Sequence, residues 1–476
     1  MENAITQKLS SKTKPLSPKR MLEKIKSSPA TGLSSNEKSS STTGSHSNEG
    51  VPSNKGALSF SSSSKAGSSS ISGSSSESKS SLNELLPSKA RTSKTGLLSR
   101  TGLLSKMKFG GDKIFVIIVI LLMAFGTMMV FSAGVAYAEK RYDDTFYFVK
   151  KQTVWLMVGM AVMLCASQIP VSIYKKYTPH LYGVTIALLL LVLIVGFVGN
   201  GAKRWISIGP LTIQPSEIAK LSIPLALAKY FSEKEKIACD LSNRKNAFVW
   251  GTLVPCIILL VPVILVMLQK HLSCIIILGA IGILLIFIAG VDPRYIYGFI
   301  LVGIVAVTVL ALFTDYTKER ITVWQNPEQY KLTGGWQTLQ GLMAIGSGGL
   351  FGVGYGNSVL KHCYVSEPAN DMIFAILCEE LGFFGALLAM LLFALLIWRG
   401  VAIGMRCKNT YSRLAVFGIM IKIAIQVMLN IAVVTNTIPN TGISLPFFSY
   451  GGSSLIMIFL EMGIILSISQ NSEADI

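Results

Sequence analysis

Asp371, Glu379 and Glu380 are three acids within ten positions of a chain in which charged residues make up only 14%. They sit in the stretch SEPANDMIFAILCEELG (366–382), where a proline-broken approach runs into an apolar helix. A carboxylate at the mouth of such a helix has two uses. It can cap free amides and suit the positive end of the helix dipole. It can also act as a base that takes a proton from a substrate hydroxyl, kept ionised by the same helix N-terminus. Glu379 and Glu380 lie about 12 Å deeper at 1.5 Å per residue. Acids at that depth pair with a cation or mark a ligand path. Lys422 and the Lys203–Arg204 pair are the expected partners.

Two further stretches carry polar chemistry. In NGAKRWISIGPLTIQPSEIAK (200–220) a basic turn leads into a helix with Glu217 and Lys220 three apart, facing each other. Lys203 and Arg204 suit an anionic partner such as a diphosphate, or an interfacial anchor. In IPNTGISLPFFSYGGSS (438–454), Pro and Gly break the helix among hydroxyls that include Ser449 and Ser453. Irregular backbone survives in a membrane only when protein or water covers it, so this segment is expected to line a cavity.

The elements that position these groups are membrane spans. Hydrophobic residues make up 51% of the 476, and apolar runs near 20 residues recur from Ile114. Each such run can cross a hydrocarbon core about 30 Å thick. The expected fold is all-α, a polytopic membrane bundle of about ten transmembrane helices. The spans are placed near 114–135, 148–169, 180–199, 213–230, 247–267, 272–290, 295–314, 371–397, 413–435 and 446–468. The 109–476 domain follows a Ser-rich basic tail, 1–108, whose composition cannot form a packed core and is expected to be disordered. Within that tail the repeat TGLLSRTGLLSK (95–106) suits a membrane surface or a solvated linker. The tail holds 17 Lys and Arg against 6 Asp and Glu. That excess places it, and with an even span number both termini, in the cytoplasm.

On that orientation the 315–370 loop is external. It contains GGWQTLQGLMAIGSGGLFGVGYGN (334–357), dense in glycine, with Gln337 in its amphipathic part. No strand precedes it, which argues against a dinucleotide site. Seven cysteines include no C-x-x-C pair, and no zinc, Walker or RNA-binding pattern occurs, so no nucleic acid partner is expected.

Four blocks together resemble the SEDS family (shape, elongation, division and sporulation), whose members include FtsW, RodA and SpoVE. They are KRWISIGPLTIQPSEIAKL, GGWQTLQGLMAIGSGGLFGVGYGNS, SEPANDMIFAILCEELG and NTGISLPFFSYGGSS, in that order over about 113–470. GYGNS followed by Lys361 resembles the FtsW/SpoVE branch more than RodA. The resemblance implies a peptidoglycan glycosyltransferase of the bacterial cytoplasmic membrane, polymerising lipid II on the outer face. It would invert the anomeric centre and release undecaprenyl diphosphate. It implies Asp371 as the catalytic general base. Substrate contacts fall on Lys203, Arg204, Glu217, Lys220, Gln337, Lys361, Glu367, Glu379, Ser449 and Ser453. Partners would be a class B penicillin-binding protein transpeptidase and other division or elongation membrane proteins. No cofactor is fixed by the residues; a divalent cation, Mg or Mn, could meet the leaving-group charge, with its ligands unknown. The alternatives are a flippase for the lipid-linked precursor and a non-catalytic scaffold for the transpeptidase. The chain reads Lys270-His271-Leu272-Ser273 where the family usually has Pro-Asp-Leu-Gly, and Val365-Ser366-Glu367 where it has Leu-Pro-Glu.

Overall fold

The computed structural model describes residues 111–199, 202–208, 211–238, 244–301, 303, 315–362, 364–365 and 367–473. The tail, its repeat and most of the expected seventh span lie outside these residues. Helices α1 (Lys113–Tyr142), α2 (Tyr147–Gln168) and α3 (Val171–Val195) come first. Three short strands follow, β1 (Phe197–Gly199), β2 (Ala202–Ile208) and β3 (Leu211–Ile213). Next are α4 (Pro215–Ala238), α5 (Val254–Leu268, entered through a π-helical stretch, Ala247–Leu253) and α6 (Leu272–Ile288). A helix α7 covers 293–301. The chain continues with α8 (Asp315–Gln325), α9 (Trp336–Gly348), α10 (Ile373–Arg406), α11 (Thr410–Val434) and α12 (Gly452–Glu473).

Seven of these helices are long and apolar enough to cross a membrane, counting the π-helical stretch with α5. Two other expected spans fail that measure for physical reasons. α6 is only 17 residues long. α4 carries Glu217 and Lys220 in its first turns and a Glu–Lys-rich last turn. The packing is inside-out relative to a water-soluble bundle: Ile117 on α1 and Leu391 on α10 are 56% and 52% exposed, whereas Lys422, Glu461 and Glu380 are buried. Apolar flanks with charges inside are what lipid as solvent requires.

The basic turn expected ahead of the helix in the 200–220 stretch is instead strand β2, paired antiparallel with β1 and β3, with Trp205 opposite Phe197 and Ile206 opposite Ile213. Alternating Lys203, Trp205 and Ser207 with Arg204 and Ile206 was the strand signal, and Ile206 is the buried member. The third helix begins at Val171, nine residues before the expected span, and runs through Pro179. Its polar start is used: the Tyr174 hydroxyl donates to the Ala166 carbonyl at 2.6 Å, and the Thr178 hydroxyl lies 3.0 Å from that of Tyr411.

Two ends of the bundle are defined by contacts between remote segments. At one end the Arg204 guanidinium donates to the Lys270 carbonyl, Ser273 to the Thr441 carbonyl, and the Tyr450 amide to the Ala369 carbonyl. At the other, Asp112 pairs with Arg399 at 2.7 Å, and Ser467 donates to the Ile169 carbonyl. Asp371 belongs to the first end.

The glycine-rich stretch is backbone packed on backbone. α10 is broken at Gly382, whose φ of 64° and ψ of −162° no helix can carry. The loop after α9 fills the break. Val353 and Gly354 amides donate to the carbonyls of Glu379 and Glu380, while Phe383 and Phe384 amides donate to Gly349 and Leu350. These bonds satisfy backbone groups that the break leaves without helical partners. A Cβ on Gly382 would stand 2.3 Å from the Gly352 nitrogen. Gly382→Ala is expected to lower stability by about 2 kcal/mol or more through strain at positive φ and this clash. Gly346→Ala, where a Cβ meets open space, should change it by under about 1 kcal/mol. Thermal melting in detergent compares the two.

Candidate active site

Asp371 lies in a turn just before α10, whose N-cap is Met372 with no side-chain cap. Asp371 therefore does not serve as the cap that its position suggests. It is half-buried, and its Oδ1 is fully buried with no hydrogen-bond partner. Burial pushes the carboxyl up to about 6, and the charge of Glu367 adds to the rise. Its own backbone amide, Gln337 on α9 and Arg320 on α8 act in the opposite sense. Desolvation outweighs the favourable dipoles, yet a carboxyl at about 6 is still mostly ionised at neutral pH, as the sequence reading of a base requires. A carboxylate that titrates just below neutrality is better matched to accepting a proton than an ordinary one.

The backbone around Asp371 is held by polar side chains from α11 and by the irregular segment 435–451. Asn430 donates from one amide group to the carbonyls of Asp371 (2.9 Å) and Ile443 (2.6 Å). Gln426 donates to the Ser444 carbonyl, and Arg320 to that of Asn440. Ser449 donates to the Asn370 carbonyl at 2.6 Å and accepts from the Leu445 amide at 2.7 Å. Gly442, at φ 64°, lies against Asp371; a Cβ there would be 3.3 Å from Oδ2. The segment is therefore tied down by buried donors, which explains how irregular backbone persists here.

The expected site residues divide into groups. Gln337 and Glu367 are beside Asp371; Glu367 is exposed and accepts from the Asn370 amide at 2.6 Å. Ser449 orients the backbone one residue away, while Ser453 is half-buried in the first turn of α12 and its side chain makes no hydrogen bond among the described residues. Lys203 is exposed on β2, and Arg204 reaches the α5–α6 turn. From the first turn of α6, Ser273 bonds the Thr441 carbonyl next to Gly442, so Arg204 and Asp371 are joined by a short chain of contacts.

The others are buried among protein partners, Glu217, Lys220 and Lys361 in ion pairs. Lys361 bridges Glu380 (2.9 Å) and the Gly356 carbonyl (2.6 Å), with Ser132 of α1 also donating to Glu380. Glu379 accepts from the Ser358 hydroxyl and the Val359 and Leu360 amides. The cation beside Glu380 is therefore Lys361, not Lys422 or the Lys203–Arg204 pair, and Glu379 is held by a hydroxyl and backbone amides instead. Lys422 pairs with Glu461 at 2.8 Å, and Glu217 with Lys220 at 2.6 Å.

Asn430 and Arg320 were missed from sequence. A signal for Asn430 was present: Lys422, Gln426 and Asn430 recur every four residues on α11 and mark one polar stripe facing inward. Arg320 offered none, because its role depends on how a long connection folds back. Among the described residues, no three His, Cys, Asp or Glu side chains converge to hold a metal ion.

Known proteins align with this geometry. The family described as "Cell cycle protein" (FTSW_RODA_SPOVE) matches residues 112–474. The chain belongs to it. Within this SEDS family, Stage V sporulation protein E of Bacillus subtilis is 39% identical over 77% of this chain and 98% of its own length. A probable peptidoglycan glycosyltransferase FtsW of Geobacter metallireducens is 34% identical over 75% and 94%. These relatives support the FtsW/SpoVE branch. Among solved structures, a chain from work on "structural coordination of polymerization and crosslinking by a peptidoglycan synthase complex" superposes with a TM-score of 0.64. It is 27% identical over 76% of this chain and 99% of that one. The rod shape determining protein RodA of Thermus thermophilus gives 0.57 at 28% identity, over 76% and 98%. The SEDS fold thus accounts for the polytopic helical bundle, and the chain is a multi-pass membrane protein.

Proposed function

We propose that the chain is a peptidoglycan glycosyltransferase that polymerises lipid II on the outer face of the bacterial cytoplasmic membrane, with Asp371 as general base. The observation that carries this reading is the orphaned, buried Oδ1 of Asp371 on a carboxyl pushed up to about 6. Relatives named as peptidoglycan glycosyltransferases support the reaction class. In the reaction, Asp371 takes the proton of a sugar hydroxyl on one substrate. The oxygen then forms a bond to the anomeric carbon of the other with inversion. The bond from that carbon to the diphosphate breaks, and undecaprenyl diphosphate leaves. Positioning and proton removal supply the rate, the base contributing roughly 10²–10⁴-fold.

Developing charge on the diphosphate needs cations at the same end of the bundle. Lys203 and Arg204 take that role. Lys203→Ala with Arg204→Ala is expected to raise the apparent KM for lipid II several-fold, with a gap that narrows at high salt; an unchanged KM returns the pair to a membrane-anchoring role. Gln337 and Glu367 tune the base, and Ser449 fixes its backbone. Both termini face the cytoplasm, and a class B penicillin-binding protein crosslinks the product. The test is polymerisation of lipid II by the purified full chain, alone and with a cognate transpeptidase, with and without chelator. The chelator arm reports a divalent ion carried on the diphosphate. Lipid translocation without polymer, or stimulation of the transpeptidase without polymer, would overturn the enzyme reading.

A further inference from the structure

Helix α6 starts without a cap. Its N-cap residue is His271, and no side chain satisfies the first-turn amides. Two buried polar atoms beside that start also lack partners: Nδ1 of His271 and Nε of Arg204. They are neighbours in structure, because the Arg204 guanidinium donates at 2.6 Å to the carbonyl of Lys270, the residue before His271. Lys203 and Lys270 are exposed on the same turn and strand. Among the described residues, none of Lys203, Arg204 and Lys270 has an ion-pair partner, in contrast to nearby Lys220, which Glu217 neutralises at 2.6 Å. Burial and the charges of Arg204 and Lys220 push His271 down to about 3, so it is a neutral ring rather than a competing cation or acid.

We infer that the start of α6, His271 and Arg204 form an anion site that holds a phosphate or diphosphate group, with Lys203 and Lys270 as its outer cations. The helix supplies amides and a positive dipole end. Arg204 supplies a guanidinium with an unused N–H. His271 supplies a ring nitrogen that can carry the proton of a further donor in its neutral form. No carboxylate opposes them in ion-pair contact with Arg204 among the described residues. The link from Ser273 to Thr441 joins this site to the segment beside Asp371. The inference rests on the diphosphate-linked donor of the preceding reading and assigns that group its place.

The test reads binding without turnover, using the full chain in detergent. The probes are farnesyl diphosphate, inorganic pyrophosphate and farnesol, followed by calorimetry at low and high salt. Farnesyl diphosphate should bind, weaken with salt, and exceed farnesol. Tighter binding than pyrophosphate identifies a lipid-borne group, and equal binding a free anion; either supports the site. His271→Asp places a like charge beside the bound anion and should weaken binding roughly tenfold or more. His271→Gln, which keeps a neutral donor, should stay near the original affinity. Arg204→Gln is the second variant, should His271→Asp fail to fold, and is expected to lose a similar factor. Equal affinity in the parent, His271→Asp and Arg204→Gln proteins overturns the inference, as does binding of the diphosphate no stronger than farnesol. Asp371→Asn should leave binding unchanged. A protein that polymerises without this site and one that binds without polymerising are then distinct results.

Discussion

Asp371→Asn is expected to remove polymerisation, by roughly 10²–10⁴-fold, while the folded protein becomes no less stable. The two halves have one cause. Burial raises the carboxyl from its ordinary 3.8 to about 6, so the fold favours the protonated group over the ionised one. That preference is fully present below pH 3.8 and is lost as pH rises through about 6. At pH 7 the ionised group opposes folding by up to about 3 kcal/mol. Asparagine keeps the shape and removes the charge, so the melting temperature should hold or rise. The parent rate should climb with pH through about 6 and level above it, because only the deprotonated carboxyl accepts a proton. Rate profiles from pH 5 to 8, with melting curves for both proteins, check this. Retained polymerisation by Asp371→Asn would end the assignment. So would a fall in melting temperature that matches the fall in rate, since a structural carboxylate behaves that way.

Much of this arrangement was legible in the sequence because membrane burial writes large signals. Runs of about 20 apolar residues gave most helix positions, and a lone acid after Pro368 drew attention to Asp371. What was not legible depended on backbone meeting backbone. The glycines of 349–356 read only as a dense run in a long external loop. They are spaced to approach α10 at Gly382, an event invisible without the partner strand of chain. Lys203 to Ser207 alternates in two-residue period, yet its setting between spans suggested a turn. The direction of the Asp371 shift was also hidden: local sequence displays the helix dipole, whereas burial depends on segments remote in the chain, such as 435–451 at Gly442.

The deep acids show the same limit and lead to the second large effect. Sequence offered Glu379 and Lys361 as substrate contacts, but the structure surrounds them with protein partners. Glu380 is fully buried and takes a salt bridge from Lys361 and hydrogen bonds from Ser132. Glu379 gathers the chain at 358–360. Together they clasp the end of the glycine loop onto the broken helix and onto α1. Removing one member leaves a buried charge unpaired, which destabilises by about 3–5 kcal/mol. Lys361→Met should therefore lower the melting temperature sharply and open the 349–362 segment to hydrogen exchange, with activity falling as a consequence. Adding Glu380→Gln removes the orphaned charge and should recover a large part of the stability, since an apolar or neutral pair of similar volume often replaces a buried ion pair without penalty. A substrate contact predicts the reverse pattern: KM rises in the single variant, melting is unchanged, and the second substitution recovers nothing. The double-mutant cycle thus decides between a clasp and a subsite, and the clasp requires a coupling energy well above 1 kcal/mol.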